Sequence, residues 1–350
     1  MLIQEQIALA RLTTLGVGGP ARYFAEAAGE SDVIEAVQFA RLRNLPLFVL
    51  GGGSNLLVAD AGFSGLVLKM GIGGVETSTD PHGQVRFTTG AGVDWDTMVA
   101  EAVAARCAGL ECLSGIPGTV GGTPVQNVGA YGQEVSQTIH EVKVLDIQTL
   151  QVRTLSNGDC GFAYRTSIFN TTERDRYIIL KVSFALQHGG EPCLGYGDVQ
   201  RFFVERPGAA PTLSDIRSAV REIRLRKAML IVPGDEDARS AGSFFKNPVI
   251  AEDLFERLSE EIQSRGLELP SYPAGDGFRK LPAAWLVEHA GFPKGYTKGA
   301  AGISRRHALA IVNHGGATAA DILALANEIK AGVLSEFGIE LQPEPVFVGF

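Results

Sequence analysis

The chain reads as an α+β protein of two or three domains, and three observations carry that reading. Its 350 residues exceed what one hydrophobic core usually organises. After an alternating start it runs through a region patterned mainly as strands and ends in one patterned mainly as helices. Two glycine-rich loops, Gly51-Gly52-Gly53-Ser54-Asn55 and Ser114 to Thr123, lie far apart, and neither opens the helix that an ordinary nucleotide-binding loop requires.

The first region pairs a helix over about 31–42 with strands near 45–50 and 65–70. Val33, Ile34, Val37 and Ala40 give the helix an apolar face, and Ser31 or Asp32 suits its cap. The second region, about 71–215, carries strands at 85–89, 142–146 and 178–185, interrupted by an alanine-rich helix near 95–105. A basic helix over 214–227 leads through Pro233-Gly234-Asp235 into the third region. There 253–263, 281–289 and 318–337 read as helices, 309–313 as a short strand, and 345–350 as a strand returning to an earlier sheet. No repeat or low-complexity tract interrupts this order.

The glycine loops are the most informative feature. The apolar run Leu45 to Leu50 precedes the first, but Leu56 stands where a Rossmann fingerprint needs its third glycine, and no Gly-Lys pair exists for a P-loop. What remains is a strand-loop-strand unit whose backbone N–H groups can converge on an anion without a lysine. From Leu113 to Gly132 there are six glycines and two prolines together with apolar Ile116, Val120, Val125 and Val128, which argues for an ordered, functional loop. Thr123, Gln126 and Asn127 offer donors and acceptors suited to a heteroaromatic ring. The two loops read as halves of one phosphate cradle.

Composition narrows the function. A hydrophobic fraction of 45% and a charged fraction of 20% suit a soluble globular protein, and a net charge of −8 speaks against a general nucleic-acid binder. No secretory signal and no membrane-length apolar run is read. Four cysteines without a Cys-x-x-Cys pair and six scattered histidines point to a reduced, cytoplasmic protein without a metal site.

Four further segments set polar groups beside glycines or aromatics: 164–169 with Arg165, 195–198 with Tyr196, 241–248 with Ser243 and Asn247, and 342–345 with Glu344. Singly, each has an ordinary explanation: a surface ion pair, a turn aromatic, a helix cap, a solvated terminus. A serine hydrolase is disfavoured, since Ser243 lacks Gly-x-Ser-x-Gly and no histidine is obviously paired with it. In order along the chain, from Thr14-Leu15-Gly16-Val17-Gly18-Gly19 through both loops to Pro343-Glu344, the motifs closely resemble those of the UDP-N-acetylenolpyruvoylglucosamine reductases, and 195–198 resembles the family type whose tyrosine loop closes over substrate.

That resemblance implies a three-domain flavoprotein of the vanillyl-alcohol-oxidase type: FAD-binding subdomains at 1–70 and 71–215, a substrate domain at 228–337, and a terminal strand within 338–350 returning to the first. It implies FAD between the first two domains, held by Gly51, Gly52, Gly53, Ser54, Asn55 and Leu56 and by Ile116, Pro117, Gly118, Gly121, Gly122, Thr123, Asn127, Gly129, Ala130 and Tyr131. Neither loop contains a histidine or cysteine for covalent attachment, so the flavin is expected to be noncovalent. NADPH is the implied hydride donor and UDP-N-acetylglucosamine enolpyruvate the substrate, in peptidoglycan precursor synthesis by a monomer.

By the same resemblance Ser243 protonates C2, Arg165 stabilises the adjacent carboxylate, and Glu344 is protonated or orients Arg165. Tyr196, Lys227 and Asn247 bind substrate. The 301–307 segment fits the family pattern loosely, and His307 is left without a firm role. Two alternatives stay open: a noncovalent FAD oxidase of the same fold acting on an alcohol or hydroxy acid, and a catalytically silent nucleotide-sugar-binding flavoprotein.

Overall fold

The computed structural model describes every residue except 82, 206, 207 and 209. The chain divides into two compact units, one formed by 1–7, 21–53 and 63–230, the other by 8–20, 54–62 and 231–350.

In the first unit, the strands Gln4–Ala8, Pro20–Ala27, Phe63–Met70 and Leu47–Leu50 lie in that order in one sheet, the last three mutually parallel. The helix Glu30–Leu42 buries Val33, Ala36, Val37 and Ala40. Its cap differs from expectation: Asp32 acts from inside the first turn, its carboxylate accepting the N–H groups of Ala28 and Gly29 at 2.9 and 3.1 Å. A second, antiparallel sheet runs Gln151–Ser156, Ile139–Asp146, Tyr177–His188, Gln84–Gly90, Val75–Thr79. The helix Trp95–Ala104, capped by the Asp94 carboxylate on the Thr97 N–H at 2.8 Å, buries Trp95, Met98, Val99 and Ala102. Both sheets and both helices feed one apolar core, so the two subdomains expected at 1–70 and 71–215 share an interior. The unit continues through the helices Gly197–Val204 and Leu213–Arg226 to Leu230, which puts the start of the other unit's main stretch at Ile231.

The second unit packs the helices Glu252–Ser264, Ala283–His289 and Ala319–Phe337 with two small three-stranded sheets around its own core. The terminal strand is shorter than expected, Val346–Val348, and pairs in parallel with Leu56–Val58. That partner falls within 1–70, although it clusters with the C-terminal residues and stands outside the four-stranded sheet. The reason is local: a Cβ on Gly19 would stand 2.2 Å from the Asp60 carbonyl oxygen, so the glycine-rich 14–19 segment admits 54–62 backbone against backbone.

Candidate active site

In the first unit the two glycine loops meet. A Cβ on Gly52 would fall 2.5 Å from Gly118 Cα, and one on Gly51 would fall 2.9 Å from Thr119 Oγ1. No regular helix follows either loop; Leu56–Val58 continues the first as a strand, and the second makes a single 3-10 turn at Val120–Gly122. The second loop is anchored to the framework: Gly118 O accepts the Trp95 N–H at 3.1 Å, while the Val120 and Gly121 N–H groups donate to Val93 and Ala91, each at 2.9 Å. Beside the loops opens a cavity of about 600 Å³, walled by apolar Val49, Val125 and Ile179 and by Gly51, Gly121 and Gly122. Thr119 also lines it, and its buried hydroxyl has no hydrogen-bond partner among the described residues. Apolar walls, close-approach backbone and one orphaned hydroxyl suit a flat ring carrying an anionic tail, as FAD does.

Several expected cofactor residues have other local tasks. The Asn127 carboxamide donates to Glu134 Oε2 at 2.9 Å and to Ala163 O at 3.1 Å and accepts from the Ser136 N–H at 3.1 Å, so its side chain braces the loop. The Thr123 hydroxyl donates to Val120 O at 2.8 Å. Gly129 and Ala130 pair with Glu134 and Gln133 in a two-stranded turn. Tyr131, at its tip with φ +50°, is grouped with the expected substrate residues, its ring edge-on to Tyr196 at 5.5 Å between centroids.

Around that tyrosine pair stand Arg224, Lys227 and Asp198. Arg224 is buried, donating to Gly115 O at 3.0 Å and Met229 O at 2.6 Å. Burial pushes its guanidinium below the usual arginine range, against the raising effect of Tyr131. Burial likewise raises the Tyr131 phenol, against the charges of Arg224 and Lys227. Lys227 Nζ donates to Asp198 Oδ2 at 2.5 Å, and Asp198 sits two residues beyond Tyr196 in the first turn of its helix. Asp96 fixes the other side of Gly115, accepting its N–H at 2.7 Å and pairing with Arg217 and Arg221. Arg165, in a left-handed conformation at φ +55°, donates from Nη2 to Gly129 O at 2.8 Å, which ties its guanidinium to the second loop.

The second unit assembles Ser243, His307 and Glu344 through the backbone of one buried residue. Phe244 N–H donates to Leu309 O at 2.7 Å, and Phe244 O accepts the Glu344 N–H at 2.9 Å. Three segments distant in sequence are thereby clamped together, and Ser243 Oγ comes to 3.1 Å from His307 Nε2. The expectation that no histidine pairs with Ser243 is therefore corrected. Asn55 joins this unit, donating from Nδ2 to Glu344 O at 3.2 Å, while its carbonyl accepts the Val346 N–H. Asn247 Oδ1 accepts the Ala283 N–H at 2.9 Å at the start of a helix, so its amide N–H groups are the ones suited to meeting a ligand.

Sequence reasoning missed Thr119, Asp198, Arg224 and the partnership of His307. Thr119 and Asp198 lie inside segments it singled out; Arg224 and the Ser243–His307 pairing have a significance that is purely spatial.

A cavity walled by glycine loops and a separately clamped serine define the chain as an FAD-dependent oxidoreductase, and the comparisons agree. The FAD-binding domain model matches residues 21–155, and the model of the UDP-N-acetylenolpyruvoylglucosamine reductase C-terminal domain matches 234–348. A UDP-N-acetylenolpyruvoylglucosamine reductase of Thermobifida fusca is 47% identical over 350 residues, 99% of this chain and 98% of the relative. One of Saccharopolyspora erythraea is 46% identical over 347 residues, 97% and 94% respectively. The crystal structure of the corresponding reductase from Thermus caldophilus superposes with a TM-score of 0.67 at 26% identity, covering 99% of this chain and 100% of that one. The chain belongs to the UDP-N-acetylenolpyruvoylglucosamine reductase family.

Proposed function

We propose that this enzyme reduces UDP-N-acetylglucosamine enolpyruvate to UDP-N-acetylmuramate with NADPH as donor, a step of peptidoglycan precursor synthesis. The observation that carries the reading is the backbone clamp at Phe244, which fixes the chain beside Ser243 to that of Glu344, because a hydroxyl on a rigidly held backbone is what protonation at one carbon face requires.

FAD, when bound, would supply the two-electron redox chemistry that links NADPH to the enolpyruvyl double bond. Thr119 and the glycine backbones of both loops would hold it, and the apolar residues of the cavity wall would exclude water there. Arg165 meets the substrate carboxylate and stabilises the charge that spreads into it from C2. Ser243 Oγ gives the proton that C2 takes up. Glu344, in its protonated form, can stand on the same side without opposing the developing charge. Lys227 and Tyr196 bind the diphosphate; Lys227 must then exchange its Asp198 carboxylate for a phosphate oxygen, which couples substrate arrival to the helix that follows Tyr196. Asn247 donates its amide to the substrate.

Mass spectrometry of the product tests the reading. FAD-reconstituted enzyme given NADPH and UDP-N-acetylglucosamine enolpyruvate without oxygen should yield the lactyl ether, one hydride and one proton heavier, in proportion to NADPH consumed. NADPH consumption without that product would contradict it.

A further inference from the structure

We propose that His307 is the positioning partner of Ser243 and the source of the proton that reloads its hydroxyl. The inference rests on the reduction read above. Ser243 Oγ and His307 Nε2 stand 3.1 Å apart although 64 positions separate them in the chain.

The loop that carries His307 is fixed by its own bonds. The Ser304 N–H donates to Ala310 O at 2.9 Å, and the Ala310 N–H donates to His307 O at 3.1 Å, closing 304–310 on itself. Asp237 accepts the Ser304 hydroxyl at 3.1 Å and the Arg305 N–H at 3.2 Å, while Arg306 pairs with Asp235 and Asp237. The Phe244–Leu309 bond then joins this loop to the serine. None of these contacts uses the imidazole. The ring is half-buried, within reach of solvent protons.

The chemistry gives it a task. Serine is a very weak acid, and handing its proton to carbon unaided leaves an alkoxide in the site. Imidazole titrates near neutral pH and can supply a replacement as the first proton leaves. As the C2–H bond forms, the Ser243 O–H bond breaks and its electron pair stays on Oγ. That pair takes the Nε2 proton of the imidazolium, whose N–H bond breaks. His307 is left neutral and regains a proton from solvent. These transfers change no oxidation state.

The test uses FAD-reconstituted enzyme reduced anaerobically with NADPH and then mixed with the enolpyruvyl nucleotide sugar, with flavin absorbance followed in both phases. For His307→Ala the reductive phase should stay close to wild type, while recovery of oxidised flavin slows roughly 100-fold or more. His307→Gln, which can donate a hydrogen bond but no mobile proton, should not restore it, whereas free imidazole should partly rescue His307→Ala. The double variant with Ser243→Ala should be no slower than Ser243→Ala alone, because the two residues act as a unit. A readout independent of turnover is the ¹⁵N resonance of His307 Nε2, which should move on Ser243→Ala. Recovery of His307→Ala at the wild-type rate, multiplying costs in the double variant, or an Nε2 resonance indifferent to Ser243 would overturn the proposal. Failure of the wild-type enzyme itself to recover with this substrate would instead refute the reduction, and the proposal with it.

Discussion

Replacing Gly52 by alanine places a methyl group 2.5 Å from Gly118 Cα and 2.9 Å from the Gly118 carbonyl carbon. Ordinary contact begins at 3.4 Å, so the two glycine loops must part by 0.9 Å. Both sides of the clash are backbone, so no rotamer can yield. Overpacking of this kind costs about 1–3 kcal/mol. Expressed at the cradle, that is a roughly 5- to 150-fold loss of FAD affinity. Titration of FAD into apoprotein, followed by flavin fluorescence, measures the loss, and thermal unfolding shows whether the strain also reaches the apoprotein. Gly73→Ala is the control: no atom of the described residues lies within 4 Å of its added methyl, and φ there is not left-handed, so both quantities should stay at the parent value. A Gly52→Ala protein that binds FAD as tightly as its parent and unfolds at the same temperature would refute the meeting of the two loops.

Thr119→Val keeps the shape of the side chain and removes the orphaned hydroxyl; FAD affinity should fall about tenfold while the apoprotein is no less stable, and equal FAD affinity would deny the hydroxyl a ligand. Ser243→Ala should leave flavin reduction by NADPH intact and nearly abolish reoxidation by the enolpyruvyl substrate; equal losses in both phases would make Ser243 a folding or binding residue. Asp96 is held below the usual carboxylate range: burial opposes its ionisation, and the Arg217 hydrogen bond, the Gly115 N–H and the charges of both arginines outweigh that. With the folded value depressed, its stabilisation is complete above pH of about 4 and is lost as pH falls through the folded value. Asp96→Asn should therefore cost about 1–3 kcal/mol at pH 7 and flatten the acid limb of stability; an unchanged unfolding temperature and acid limb would contradict this.

Much of this was legible in sequence because the physics was local. The helix at 30–42, the helix at 95–104 and the long strand at 177–188 announce themselves through periodicity, and the glycine loops through what does not follow them. The strand Gln151–Ser156 escaped because its residues are almost all exposed and show no alternation, and Val75–Thr79 escaped as a solvated edge. The helix Gly197–Val204 was hidden behind the glycine that begins it. Sequence also treated Gly51 to Leu56 as one cofactor loop, whereas the chain leaves the first unit after Gly53 and Ser54, Asn55 and Leu56 belong to the second. The site was legible as a set of residue types, but not in its partnerships. Nothing local in 301–307 marks His307 as the neighbour of Ser243, since that contact depends on backbone bonds from Phe244 to Leu309 and on the Asp237 carboxylate. The Asp198 hold on Lys227 is hidden in the same way.

The central claim is that reducing equivalents pass from NADPH to the enolpyruvyl nucleotide sugar through bound FAD, and anaerobic stopped-flow absorbance of the holoenzyme tests it most directly. NADPH should bleach the flavin band, and UDP-N-acetylglucosamine enolpyruvate should then restore it without oxygen. A flavin that bleaches but recovers only when oxygen is admitted would contradict the account and point to an oxidase.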